Sequence, residues 1–162
     1  MSTDRIVKRV MLPVPRERVW KAVSDSAQFG TWFGMAFDGP FVAGHPVRAR
    51  IVPTLVDAEV ARLQEPHAGK EFDFRVDRIE PMNRICFRWH PYAVDRSRDY
   101  SSEPTTLITF DLEDAPEGTM LTITESGFDA IPLDRRAEAF RANEGGWAMQ
   151  CELVRKYLAM QA

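Results

Sequence analysis

Apolar and polar positions along the chain follow two periods, and the places where the period changes divide it into elements. "DRIVKRVMLPV" is β-branched and alternating and is stopped by Pro13 and Pro15, which predicts a first strand. In "PRERVWKAVSD", Val19, Trp20 and Val23 recur at helical spacing behind a proline suited to a helix start. Asp25 or Ser26 is placed to cap a second short helix ending near Gly30. "GPFVAGHPVRARIVP" holds turn residues and then an alternating run, with Val47, Ala49 and Ile51 on one face and Arg48 and Arg50 on the other. "DAEVARLQEPHAG" predicts a helical excursion ended by proline and glycine.

Period two then returns. Phe72, Phe74 and Val76 alternate with Asp73, Arg75 and Asp77, and after "EPMN" Ile85, Phe87 and Trp89 alternate with Cys86 and Arg88, predicting a half-solvated hairpin. A second hairpin joins "TTLITFDLED" to "GTMLTITESGF" through "APEG", with Ile108, Phe110 and Leu112 on one face and Leu121, Ile123 and Glu125 on another. Between the hairpins, residues 90 to 104 predict a long irregular surface segment, either a lid or a plain connection. From Asp134 onward the period is helical, with Phe140, Trp147, Cys151, Val154 and Leu158 on one stripe. Gly145 and Gly146 interrupt that stripe at a cost of about 1 kcal/mol each in a helix interior. The favoured expectation is a kink or local irregularity at a cavity mouth, the alternative a new helix capped by Asn143.

This order of elements predicts an α+β fold in one domain over residues 1–162, an antiparallel sheet with helices on one face. If the sheet curves strongly around the long helix, a cavity remains between them. The composition is that of an ordinary globular chain, 44% hydrophobic and 28% charged. A net charge of -3 supplies no basic field for phosphate backbones, so no nucleic-acid partner is expected. No apolar run approaches the roughly 20 residues of a bilayer span, and "MSTDRIVKRVMLP" has charge where a signal peptide needs an apolar core; no membrane insertion and a cytoplasmic location are expected. Cys86 and Cys151 are expected to be reduced, buried and inert.

The early "PRERVWKAVSD" with "TWF", then "RIEPMNRICFRWHP", "EPTTLITFDL", "GTMLTITESGF" and the closing "NEGGWAMQCELVRKYL" resemble, in order and spacing, the START-like (SRPBCC, helix-grip) superfamily and within it the bacterial Hsp90 ATPase activator homologues. The resemblance runs end to end. It implies a curved antiparallel sheet wrapped around a long C-terminal helix, with a cavity for a lipid-like or aromatic small molecule. It implies no single chemistry, since such folds serve carriers and sensors as well as cyclases and aromatases. The eukaryotic activator contacts its chaperone through a separate N-terminal domain for which this chain has no room, so a chaperone partner is not expected to follow from the likeness.

His45, His67 and His90 lie far apart, and Cys86 and His90 share the outward parity of their strand, so no metal site is expected. "HAGKEF" lacks the glycine and hydroxyl of a phosphate-binding loop, and Ser126 has no evident histidine base. No cofactor and no catalytic residue are assigned. Alternation places the Glu125 carboxylate on the inward face, where it needs a donor, a cation or a proton. Two readings follow: a polar anchor or acid-base group in the cavity, or a carboxylate at the sheet rim satisfied by an arginine. The candidate ligand-binding residues are Trp32, Phe74, Phe87, Trp89, Phe110, Glu125, Phe128, Phe140 and Trp147, of which Trp89, Phe110, Glu125 and Trp147 are placed best. The reading preferred is a non-catalytic binder of an apolar or aromatic small molecule, as carrier or sensor in a stress-related setting. Its alternatives are a cyclase or hydrolase using the pocket carboxylate and a chaperone-associated protein partner.

Overall fold

Each alternating run becomes a strand, and the strands join in one sheet that closes the first against the last. The computed structural model describes residues 4–95 and 97–160. Residues 1–3, which belong to the stretch read above for a leader, and Arg96, within the 90–104 segment, lie outside the described residues. Strand β1 (Arg5–Leu12) is followed by helices α1 (Arg16–Ser24) and α2 (Ser26–Phe33), then β2 (Met35–Phe37) and β3 (Pro46–Ile51). Helix α3 (Ala58–Gln64) and a 3-10 turn (Glu65–His67) lead to β4 (Glu71–Glu80), β5 (Arg84–Trp89), β6 (Thr106–Ala115) and β7 (Gly118–Ser126), and α4 (Leu133–Met160) closes the described chain. The strands lie in the order β1-β7-β6-β5-β4-β3-β2 and every neighbouring pair is antiparallel. The result is α+β, a curved sheet gripping a long helix.

The local reasons are visible in the sequence. Pro15 precedes α1, and the Asp25 carboxylate accepts the backbone N–H groups of Ala27 and Gln28, starting α2. That helix does not end near Gly30 as expected. It runs to Phe33, and Gly30 is a point of close approach, where a Cβ would stand 2.1 Å from the Met35 carbonyl oxygen. The stop is Gly34, left-handed at φ 97, which reverses the chain into β2. Three residues are too few to show alternation, which is why β2 escaped the sequence pattern.

The inward row carries Phe74, Val76, Ile85, Phe87, Ile108, Phe110, Leu112, Leu121 and Ile123, all buried. Register places Glu125 in that row between Ile6 of β1 and Ile108 of β6. Against the sheet lies α4, burying Ala139, Trp147, Cys151, Leu153, Val154, Tyr157 and Leu158. It is helical from Leu133 to Met160 through both glycines, so the alternative of a new helix starting there does not occur. Asn143 is an interior helix residue rather than a cap. A Cβ on Gly145 or Gly146 would meet nothing within 4 Å, so neither glycine is required by close packing. No described helix is long and apolar enough to cross a membrane.

Candidate functional site

Where α4 crosses the end of β5, a cavity of about 290 Å³ opens between the helix, α2, β2 and the segment that follows β5. Phe33, Met35, Phe72, Trp89, Trp147 and Met149 supply an apolar wall, and among the described residues no Asp, Glu, Lys or Arg lines it. Two other depressions, of about 390 and 330 Å³, lie around Gly39 and beside Gly30; neither touches α4.

Behind this wall sits Glu125, fully buried. Its Oε1 accepts the indole N–H of Trp147 at 2.7 Å and the side-chain amide of Asn143 at 2.9 Å. Its Oε2 accepts the indole N–H of Trp89 at 2.7 Å and the Thr106 hydroxyl at 2.5 Å, with Asn143 again at 3.2 Å. These donors come from β5, β6 and α4, so one carboxylate on β7 ties three other elements together. Among the described residues its hydrogen-bond partners are all neutral donors and none is an arginine, so of the two readings above the rim carboxylate satisfied by an arginine is not the one found among them. With both oxygens engaged, the carboxylate holds the two indoles by their N–H edges. Their ring centroids stand 5.9 Å apart, inclined at 38°.

The sequence candidates separate into three groups. Trp89 and Trp147 line the cavity, and Glu125 stands behind them. Phe74 packs on Trp89 at 5.4 Å and Phe110 on Trp147 at 5.9 Å, with Phe87 against both phenylalanines, so these three back the wall without lining it. Trp32 lies in the core and donates its N–H to the Ala22 carbonyl at 2.9 Å, while Phe128 and Phe140 pair with each other at 5.2 Å; none of the three borders the cavity.

Sequence reasoning missed the polar lining. Asn143, Gly146, Trp147 and Gln150 follow one another at i, i+3, i+4 and i+7 along the face of α4 toward the cavity. A signal existed, namely two amide side chains on an otherwise apolar stripe. Gln150, 8% exposed, donates to the Phe33 carbonyl at 3.1 Å, and Gln64 donates to the same oxygen at 3.1 Å while accepting the Thr54 N–H at 2.8 Å. His90, placed by strand parity on the outer face, lines the cavity instead, because β5 ends at Trp89 and the alternation ends with it. Burial lowers its imidazole below the ordinary histidine value.

The 90–104 segment contributes Tyr92, Ala93 and Val94 to the cavity rim. It is fastened to the start of α4 by Arg135, 8% exposed, which donates to the Pro91 carbonyl at 2.6 Å and pairs with Glu103 at 2.8 Å. Arg98 joins Glu103 at 2.8 Å to Asp134 at 2.9 Å, and the Arg135 guanidinium lies over the Tyr100 ring at 4.7 Å. Burial pushes the Glu103 carboxyl up, but hydrogen bonds from Arg135 and Arg98 outweigh it and hold the group below the usual value. Among the described residues no cluster of three or more His, Cys, Asp or Glu is placed to hold a metal ion. Both cysteines are buried, and burial raises the Cys151 thiol to about 11.

This architecture is shared. A protein of Mesorhizobium loti superposes with a TM-score of 0.71 at 22% identity, over 98% of each chain. One from Arthrobacter aurescens gives 0.72 at 15% identity, over 98% of this chain and 87% of that one. DynU16, a protein in the dynemicin biosynthetic locus, gives 0.67 at 25% identity over 96% of this chain, which spans 47% of DynU16. No curated protein sequence matches. The family model described as Activator of Hsp90 ATPase homolog 1-like protein matches residues 13–159. That match covers nearly the whole chain, and the START-like fold it accompanies is commonly a ligand-binding domain: the chain belongs to the Activator of Hsp90 ATPase homolog 1-like family.

Proposed function

We propose that this chain is a binding domain, a carrier or sensor, which holds an apolar or aromatic small molecule in the cavity between the sheet and α4. One observation carries the reading. Trp89 and Trp147, the largest side chains of the wall, have their polar edges committed to Glu125, and what remains of each for the cavity is hydrocarbon and π-surface. The cavity volume of about 290 Å³ sits at the small end of the ~300–1,000 Å³ usual for ligand sites, which suits a molecule of two or three rings. Among the described residues the lining holds no Asp, Glu, Lys or Arg, which disfavours ionic ligands because little counter-charge offsets their desolvation. Glu125 serves this function as a clamp; its oxygens face donors of the protein and leave no lone pair turned to a substrate.

The test is a titration with N-phenyl-1-naphthylamine, a neutral probe whose emission rises in apolar surroundings, on the wild type and on Gly146→Leu. Gly146 borders the cavity and has open space where a Cβ would be, so the leucine fills the cavity from the helix side. Saturable binding at one site in the wild type, weakened at least tenfold in a folded Gly146→Leu, is expected. Equal binding by the two proteins, or none by either, refutes the reading.

A further inference from the structure

Three residues that line the cavity are bonded to one anion. Trp89, Trp147 and Asn143 each donate to the Glu125 carboxylate and each border the cavity, so the charge stands one side chain away from that space. Thr106 adds a fourth donor, and among the described residues all four hydrogen-bond partners are neutral; they solvate the charge without cancelling it. The rim cations do not cancel it either, because Arg98 and Arg135 are matched by Glu103 and Asp134. Two described lining residues can carry positive charge, His67 and His90. The first is exposed to solvent, which screens it, and burial holds the second toward its neutral form. The donors also pass the charge on. An indole N–H held on a carboxylate at 2.7 Å is polarised toward the oxygen, and that shift enriches the ring in electrons. An aromatic face is already negative through its quadrupole, and the same shift weakens the positive C–H edge. Whichever part of Trp89 and Trp147 meets the cavity, its potential is more negative than an ordinary apolar lining supplies.

We infer that the cavity selects an electron-poor aromatic ring, a neutral arene whose face carries positive potential through halogen, nitro or carbonyl substituents, and that Glu125 sets this preference through Trp89 and Trp147. The inference rests on the cavity being the binding site, and it names what the site prefers. An electron-poor face stacks directly on an electron-rich indole, whereas an electron-rich face is pushed to an offset or edge contact. A full cation feels the same potential but loses its hydration in a lining that, among the described residues, holds no Asp or Glu. The neutral ring gains the attraction without that loss.

Two probes with one skeleton separate this from simple hydrophobic binding. Naphthalene and octafluoronaphthalene have quadrupoles of opposite sign. Fluorination also changes size and hydrophobicity, so each affinity is divided by the probe's partition from water into cyclohexane. Dissociation constants are read by displacement of N-phenyl-1-naphthylamine from the wild type and from Glu125→Gln. After that correction we expect octafluoronaphthalene to bind the wild type about fivefold more tightly, the middle of what a favourable aromatic pair adds beyond burial. We expect the preference to fall below about twofold in Glu125→Gln, which keeps both indoles and removes the charge. Equal or weaker corrected binding of octafluoronaphthalene to the wild type overturns the inference and leaves the cavity as a binding site. A preference undiminished in Glu125→Gln overturns the assignment to the carboxylate. Failure of N-phenyl-1-naphthylamine to bind the wild type overturns the proposed function itself. Thermal melts accompany the variant, and the corrected comparison on the wild type decides the inference without it.

Discussion

Replacing Glu125 with glutamine changes one oxygen of the buried carboxylate to an NH2 group and almost nothing in shape. In either orientation the new NH2 faces an indole N–H at 2.7 Å, that of Trp147 on one side or of Trp89 on the other. Thr106 can rotate its hydroxyl to accept and Asn143 can turn its amide, but an indole nitrogen can only donate. One tryptophan N–H therefore loses a hydrogen bond to a charged acceptor, about 1.5–3 kcal/mol, and stays buried opposite another donor. The expected loss for Glu125→Gln is about 2–4 kcal/mol, which at roughly 2–4 °C per kcal/mol for a chain of this size lowers Tm by roughly 5–15 °C. Urea unfolding followed by tryptophan emission measures it. A cycle with Trp147→Phe isolates the cause, because removing the conflicting N–H should make the glutamine cost less in that background by at least about 1 kcal/mol. A Glu125→Gln protein within about 0.5 kcal/mol of wild type, or strict additivity in the cycle, refutes the clamp.

The other expectations are simpler. Gly145→Ala, exposed and with open space for its Cβ, should raise stability by about 1 kcal/mol in urea unfolding and leave probe affinity alone; loss of stability would show that the helix there is not regular. Glu103→Gln tests the fastening of the 90–104 segment. The folded Glu103 carboxyl titrates below its ordinary value of 4.5, so in that window the unfolded chain binds more protons. The stabilisation it contributes is present above that value and is lost as pH falls through the folded one. Wild type should accordingly lose more Tm between pH 5 and pH 3 than Glu103→Gln; parallel curves would remove the carboxylate from the fastening. Finally, Cys86 and Cys151, buried and with thiols raised by burial, should resist a thiol reagent at pH 8 until the protein is unfolded; fast labelling of the native protein would contradict their placement.

How much of this was legible beforehand depended on the range of the interaction. Alternation along β4 to β7 and the stripe of α4 are periodic over many residues, so the architecture and the inward direction of Glu125 followed from pattern. The partners of Glu125 did not. Trp89, Thr106, Asn143 and Trp147 meet it across separations of 18 to 36 residues, and no local period says which donors converge on one carboxylate. His90 was misplaced because parity was carried one residue beyond the end of its strand. Phe128 and Phe140 have the same aromatic character as Trp89 and Trp147, yet they pair with each other away from the cavity. The glycine pair raised the alternative of a new helix start because isolated-helix cost was set against nothing. In the fold, α4 is held from both ends by tertiary contacts, with Arg135 near one terminus and the Leu158 carbonyl, bonded to Arg18 at 3.0 Å, near the other.

The central claim is that the space beside Trp89 and Trp147 is a ligand site. Four tryptophans give four indole N–H signals in a proton-nitrogen correlation spectrum, from Trp20, Trp32, Trp89 and Trp147. Titrating N-phenyl-1-naphthylamine while following them tests the claim at the level of single residues. The Trp89 and Trp147 signals should move together and saturate while those of Trp20 on α1 and of the core Trp32 stay in place; shifts confined to Trp20, or no shift at any indole up to the solubility of the probe, would contradict it.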